Sequence, residues 1–239
     1  MIAPSEPAEG SRRLNSQFAL WAGIALVLIA FLGFARTFYL KTWFGSPELP
    51  IRVHVHGIVM SLWCFLVLTQ ICLVATRRID WHRRVGAVGA LLAVVVVAIA
   101  GYITVVAATN EIRGHTQGDF TALLGFNLVN LAVFSALFTT GLAYRHRPNT
   151  HKRLMILAAF SLLPPAVARI ELPFTHSDTV QMVGVDLCIL ALVIADTVRH
   201  GRIHPAMAWG ALWIVVPLHL TLVAVQSSTW AALASWLLA

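Results

Sequence analysis

Seven apolar runs alternate with short polar segments along this chain of 239 residues. The runs predict helices over about Phe18–Leu40, Val53–Thr76, Val85–Ala108, Phe120–Tyr144, Lys152–Ile170, Val180–Val198 and Ala206–Val225. A hydrocarbon core about 30 Å thick takes about 20 helical residues to cross, and each run comes close to that length. The expected fold is therefore an all-α, polytopic membrane bundle of about seven transmembrane helices. Residues 1–16, rich in Pro, Ser, Glu and Gly, are expected to be a disordered tail, and residues 17–239 a single transmembrane domain. The first run follows Arg12 and Arg13 but is long and has no small-residue cleavage site, so it is read as a retained helix. After Gln226-Ser227-Ser228 the tail WAALASWLLA lies in the outer interface or extends the last helix.

Composition supports the same class. The chain is 59% hydrophobic and only 11% charged, against roughly 25% charged in soluble domains. The net charge of +7 suggests nucleic acid until the positions are examined. Of the 17 Lys and Arg residues, twelve fall in the N-terminal tail and in the segments after the second, fourth and sixth runs. Five (Arg36, Lys41, Arg52, Arg113 and Arg169) fall on the other side. That asymmetry encodes membrane topology and not a nucleic-acid surface, with the N-terminus inside and the C-terminus outside a plasma (bacterial inner) membrane. Cys64, Cys72 and Cys188 all lie inside apolar runs, with no C-x-x-C pair and no disulfide framework.

The basic segments contain an internal echo. Arg78-x-x-x-His82-Arg83-Arg84-Val85 and Arg147-x-x-x-His151-Lys152-Arg153-Leu154 share one spacing, each after a long apolar run. They mark residues 53–108 and 120–170 as two copies of a helical hairpin. Arg199, His200, Arg202 and His204 form a looser third echo. A cation at a helix start opposes the helix dipole, so intrinsic helix stability does not explain this choice. Contact with anionic lipid headgroups does. The alternative is a shared anion site, in which Arg78, His82, Arg83, Arg84, Arg147, His151, Lys152 and Arg153 join free helix N–H groups around a carboxylate or phosphate. Asp80 and Asn149 are the expected N-caps. Metal binding at His82 and His151 is disfavoured by the surrounding cations.

Polar residues within the runs carry more information, because burying them in lipid is costly. At about 1.5 Å per residue, His219 and Asp186 fall at a similar level in the outer half. Asn127 and Asn130 share a face there, three residues apart. Arg169 and Glu171 close the fifth run, and His54 and His56 open the second. Pro164-Pro165 and Pro217 interrupt helices in the same zone, freeing carbonyls that must face protein or a cavity. These groups are expected to meet in an outer pocket, either as mutually satisfying polar glue or as a proton-linked small-molecule site. A metal or haem iron held by His54 or His56 together with His219 is the alternative occupant. His56, Met60 and Trp63 share one helical face, which suits a soft His/Met copper site.

The residues His54-x-His56, Trp63, Gln70, Arg78, His82-Arg83-Arg84-x-Gly86, His151-Lys152-Arg153-Leu154-Met155, Pro164-Pro165 and Arg169 carry a resemblance. Over the second to fifth runs the chain resembles bacterial multi-pass membrane proteins grouped only as domains of unknown function. The resemblance implies the fold but no activity. A more distant likeness is to transmembrane two-haem cytochromes b and ferric reductases, which place histidine pairs on facing helices. This chain departs from them in having no histidine inside the fourth run, which leaves one haem b at most. Zinc hydrolases and receptors with seven helices share the topology but usually carry two histidines on the last helix, where this chain has His219. A protein partner, including a second copy, is left open. Three classes follow: a proton-linked or accessory membrane protein, a redox protein with one haem or copper ion, and a metal-dependent membrane hydrolase.

Overall fold

The computed structural model describes residues 9–109, 120–171 and 178–237, with the side chains of 9–16, 120–121, 171 and 178–180 excepted. These residues form an all-helical bundle, with no strand among them. The helices are α1 (Glu9–Phe34), α2 (Ile51–Ala75), α3 (Ile79–Ala108), α4 (Phe120–Ala143), α5 (Pro148–Ser161), α6 (Pro164–Glu171), α7 (Asp178–His200), α8 (Pro205–Ala224) and α9 (Ser228–Leu237). A π-helical turn, Ala35–Tyr39, continues α1. Six helices are long and apolar enough to cross a membrane, and the bent pair α5–α6 makes a seventh span when taken as one.

Several boundaries differ from the apolar runs, each for a local reason. α1 starts at Glu9, so residues 9–16, expected to be disordered, are helical. After Pro7 that stretch contains no proline to stop a helix growing back from the apolar run. α3 starts at Ile79 and α5 at Pro148, one turn or more before Val85 and Lys152. Proline at the first helical position gives up no hydrogen bond, and its fixed φ suits the helix. The expected caps are not used: Arg78 and Arg147 occupy the N-cap positions without side-chain caps. Asp80 instead lies in the first turn of α3, where a carboxylate complements the dipole. Pro217 leaves α8 continuous. Pro164-Pro165 does break the fifth run, bending α6 by 50° from α5, because two consecutive residues lack the N–H that would continue the ladder.

Helix α5 lies at the centre. Arg153, Leu154, Ile156 and the whole run Leu157–Ser161 are buried. Around it pack Leu26 of α1, Val96 of α3, Phe134 and Leu137 of α4, and Met207, Ile214 and Leu218 of α8, all in one apolar cluster. Contacts run α1–α2–α3–α4 in sequence, then from α4 to α5 and α8, while α6 packs on α1 and α7. α1 and α6 touch backbone to backbone at Gly33: a Cβ there would lie 2.3 Å from the Ala166 carbonyl oxygen. The outside is apolar as well. Leu91, Val94, Leu187, Leu190, Ile194, Leu220 and Val223 are among many large hydrophobic side chains left exposed. An outward apolar face on spans of this length suits lipid, which takes the place of water as solvent.

Two polar centres in the bundle

The segments between α2 and α3, α4 and α5, and α7 and α8 lie at one end of the bundle, termed here the basic end. Arg77, Arg78, Arg83, Arg84, Arg145 and Arg147 are exposed there. Arg84 lies over the Trp81 ring at 5.7 Å and Arg147 over Tyr144 at 5.4 Å, so both guanidiniums lie along aromatic faces at the surface.

Arg153 does not share that surface. It is 2% exposed, and its Nε donates to Oδ2 of the fully buried Asp196 on α7 at 2.7 Å. Its Nη1 donates to the Asn149 carbonyl at 2.9 Å. Asp196 also lies 3.2 Å from Nδ1 of His200, through Oδ1. Lys152 sits over the Phe18 ring at 5.9 Å. His204 caps α8, its Nδ1 accepting from the Ala206 N–H at 3.1 Å. Burial, and then the nearby Arg153 charge, hold the His204 imidazole below its usual pKa, which keeps Nδ1 free to accept. The anion set read from the sequence thus separates, with Arg78, Arg83, Arg84 and Arg147 on the surface and Arg153 neutralised inside. Asp196 is absent from the sequence-derived site. Its signal was a single carboxylate directly after the apolar run Leu190–Ala195, one turn before basic residues.

His82 and His151 meet at the same end. Their ring centroids are 6.4 Å apart, with planes at 81°. His151 Nδ1 donates to the Gly141 carbonyl at 2.7 Å. The amide of Gln70, on α2, docks on the first turns of α3. Its Oε1 accepts from Gly86 N–H at 2.9 Å, and its Nε2 donates to the His82 carbonyl at 3.1 Å and to His82 Nδ1.

At the opposite, distal end two sets of contacts involve the residues expected in the outer pocket. In the first, His219 Nε2 of α8 lies 3.3 Å from Asp186 Oδ2 of α7, with side-chain exposures of 43% and 35%. The other ring nitrogen, Nδ1, bonds to the Val215 carbonyl at 2.9 Å, so the imidazole is oriented by its own helix. In the second, Arg169 of α6 lies over the Phe34 ring at 4.6 Å and donates from Nη1 to the Pro165 carbonyl at 2.8 Å. Its charge acts on His56 of α2, whose Nδ1 is buried without a hydrogen-bond partner among the described residues. Asn130 is buried and its Oδ1 is likewise unpartnered, while Asn127 is half-buried. His54 turns to the loop side, with Nδ1 3.3 Å from the Pro50 carbonyl and its ring 6.0 Å from Phe38. The Glu171 side chain lies outside the described residues. Just beyond the spans, Lys41 donates to Glu48 at 2.6 Å, and that contact holds the Glu48 carboxyl below its usual pKa.

Among the described residues no three His, Cys, Asp or Glu side chains converge as a metal site. His54, His56 and His219 are therefore not brought to one point. The face read as His56–Met60–Trp63 does turn inward: Trp63 is 2% exposed and stacks edge-on against Phe134 at 5.2 Å and Phe138 at 5.8 Å. No protein-family model, no curated protein and no solved structure matches the chain.

Proposed function

We propose that the chain is a multi-pass protein of the plasma membrane that couples a proton to the handling of a small molecule, alone or as an accessory subunit. The Asp186–His219 pair is the observation that supports this most. Two titratable groups on adjacent spans lie within 3.3 Å, and each is still partly open. Ionisable groups within membrane-spanning helices are costly to place, which makes such a pair a functional-site candidate by default. Taking up or losing one proton changes the net charge of this site, and a change of charge in a low-dielectric region is what a coupled solute can sense. The hydrolase reading has no comparable support, since it needs three protein ligands around one metal.

The test uses protein reconstituted in vesicles loaded with a pH-reporting dye. Small carboxylates, amines and inorganic ions are added outside in turn. One class should drive proton movement above that of empty vesicles, and Asp186→Asn should lower it at least ~10-fold, the loss expected when a group central to the step is neutralised. Proton movement elicited by no class, or equal in the variant, removes this reading.

The proposed orientation places the basic end inside the cell. An externally active reporter fused after Ala239 should be active, and one fused at Arg147 silent. The opposite pattern would put the Asp186–His219 pair in the inner half of the bilayer.

A further inference from the structure

Between α1 and α7, which pack side by side, runs an apolar groove of about 220 Å³, lined also by the buried Phe160 of α5. Ala22 and Ala25 of α1 and Ala191 and Ala195 of α7 leave the space, since each brings only a methyl group to the wall. The walls run in opposite directions. α1 lines the groove from Phe18 to Ile29, and α7 from Cys188 to Arg199. Phe18 and Arg199 both belong to the basic end. The Lys152 ammonium sits over the Phe18 ring at 5.9 Å, and Arg199 stands in the last turn of α7. From 18 to 29 and from 188 to 199, at about 1.5 Å per residue, each wall is about 16 Å long. One leaflet is about as deep, being half of a hydrocarbon core about 30 Å thick. One turn beyond Ile29, α1 meets α6 backbone to backbone at Gly33, and the groove ends before that contact.

Arg199 differs from its neighbours. Arg78, Arg83, Arg84 and Arg147 are exposed, whereas Arg199 is half-buried at the end of the groove. Among the described residues no hydrogen bond, ion pair or ring contact engages its guanidinium. Asp196, one turn earlier on α7, is committed to Arg153 at 2.7 Å. We propose that the groove holds one anionic phospholipid of the basic-end leaflet, with an acyl chain between α1 and α7 and the phosphate on Arg199.

The chemistry at each end fits that occupant. A guanidinium offers a phosphate two parallel N–H bonds. Lys152 adds a second positive charge at the same end, which favours a headgroup of net negative charge and opposes the quaternary ammonium of a zwitterionic one. Trp21 is exposed beside the groove, an amphipathic ring of the kind that sits where headgroups meet tails. Beyond that level the lining turns apolar as far as Ile29 and Cys188, which suits hydrocarbon. A partner helix is about 10 Å across with its side chains and needs far more room than 220 Å³ over this length. A single acyl chain does not.

The full chain, purified in detergent and stripped of lipid, is offered phosphatidylglycerol and phosphatidylcholine with the same acyl chains, and retained lipid is counted by native mass spectrometry. One phosphatidylglycerol per chain should be held in preference. Arg199→Gln should weaken its retention roughly 10-fold or more, the size expected when charge-assisted hydrogen bonds are lost. Ala191→Leu, which fills the groove from an exposed position, should lose the lipid. Arg83→Gln removes an exposed charge of the same end and should leave retention unchanged. A phosphatidylglycerol with a photoreactive group at the end of its chain should label the peptides around Ile29 or Cys188. Equal retention of the two lipids, retention unchanged in Arg199→Gln or Ala191→Leu, an equal loss in Arg83→Gln, or labelling away from Ile29 and Cys188 overturns the proposal. So does a fatty alcohol held as tightly as phosphatidylglycerol, which would make the groove a site for apolar molecules alone. None of these variants alters Asp186 or His219, so the distal-pair reading stands or falls separately.

Discussion

Asp196→Ala should cost about 3–5 kcal/mol of folding stability, the range for removing one partner of a buried ion pair. Arg153 and Asp196 join the central helix α5 to α7 at 2.7 Å, with exposures of 2% and 0%. Without the carboxylate, the guanidinium remains in the interior with only the Asn149 carbonyl. The double variant Arg153→Met, Asp196→Leu removes both charges at once and should return most of the loss, because a well-packed apolar pair avoids the desolvation cost entirely. Unfolding in rising mole fractions of SDS measures both. An Asp196→Ala protein as resistant as the parent would mean that the pair is open to water, contrary to its burial.

Trp63→Ala should cost a similar ~3–5 kcal/mol, as deletion of a large buried aromatic does. The indole fills the centre of the bundle against Phe134 and Phe138, and its edge-on contacts add to its packing. Trp63→Phe is the sharper experiment. Nε1 is buried with no acceptor among the described residues, and an unsatisfied buried donor is a liability that a phenyl ring lacks. Phe should therefore come close to the parent in the same SDS series. A loss with Phe as large as with Ala would show that the N–H itself is bound.

Much of this architecture was legible because lipid reads one property over some twenty residues. The apolar runs located α2, α4, α7 and α8 to within a few residues, and depth alone put Asp186 level with His219. The helix starts were less legible. Counting Arg83 and Arg84 as loop delayed α3, although charged side chains sit readily on the first turn of a helix, and starting the fifth run at Lys152 passed over Pro148, which marks the start of α5. Asp196 was not singled out at all. Its partner is 43 residues away, and no local pattern announces a contact at that separation. Of the outer group, depth alone found the Asp186–His219 contact, while shared depth does not give shared azimuth for the rest. The matching spacing around His82 and His151 was legible, and the two rings do meet at one end of the bundle.

The bend between α5 and α6 also sets a length. As one straight helix, residues 148–171 would reach about 36 Å at about 1.5 Å each. Inclined by 50°, α6 adds only about 8 Å along the axis of α5, and the bent pair with its two-residue break reaches about 32 Å. An average hydrocarbon core is about 30 Å thick. Bent, the central span comes close to the thickness of that core, where a straight rod would overhang it.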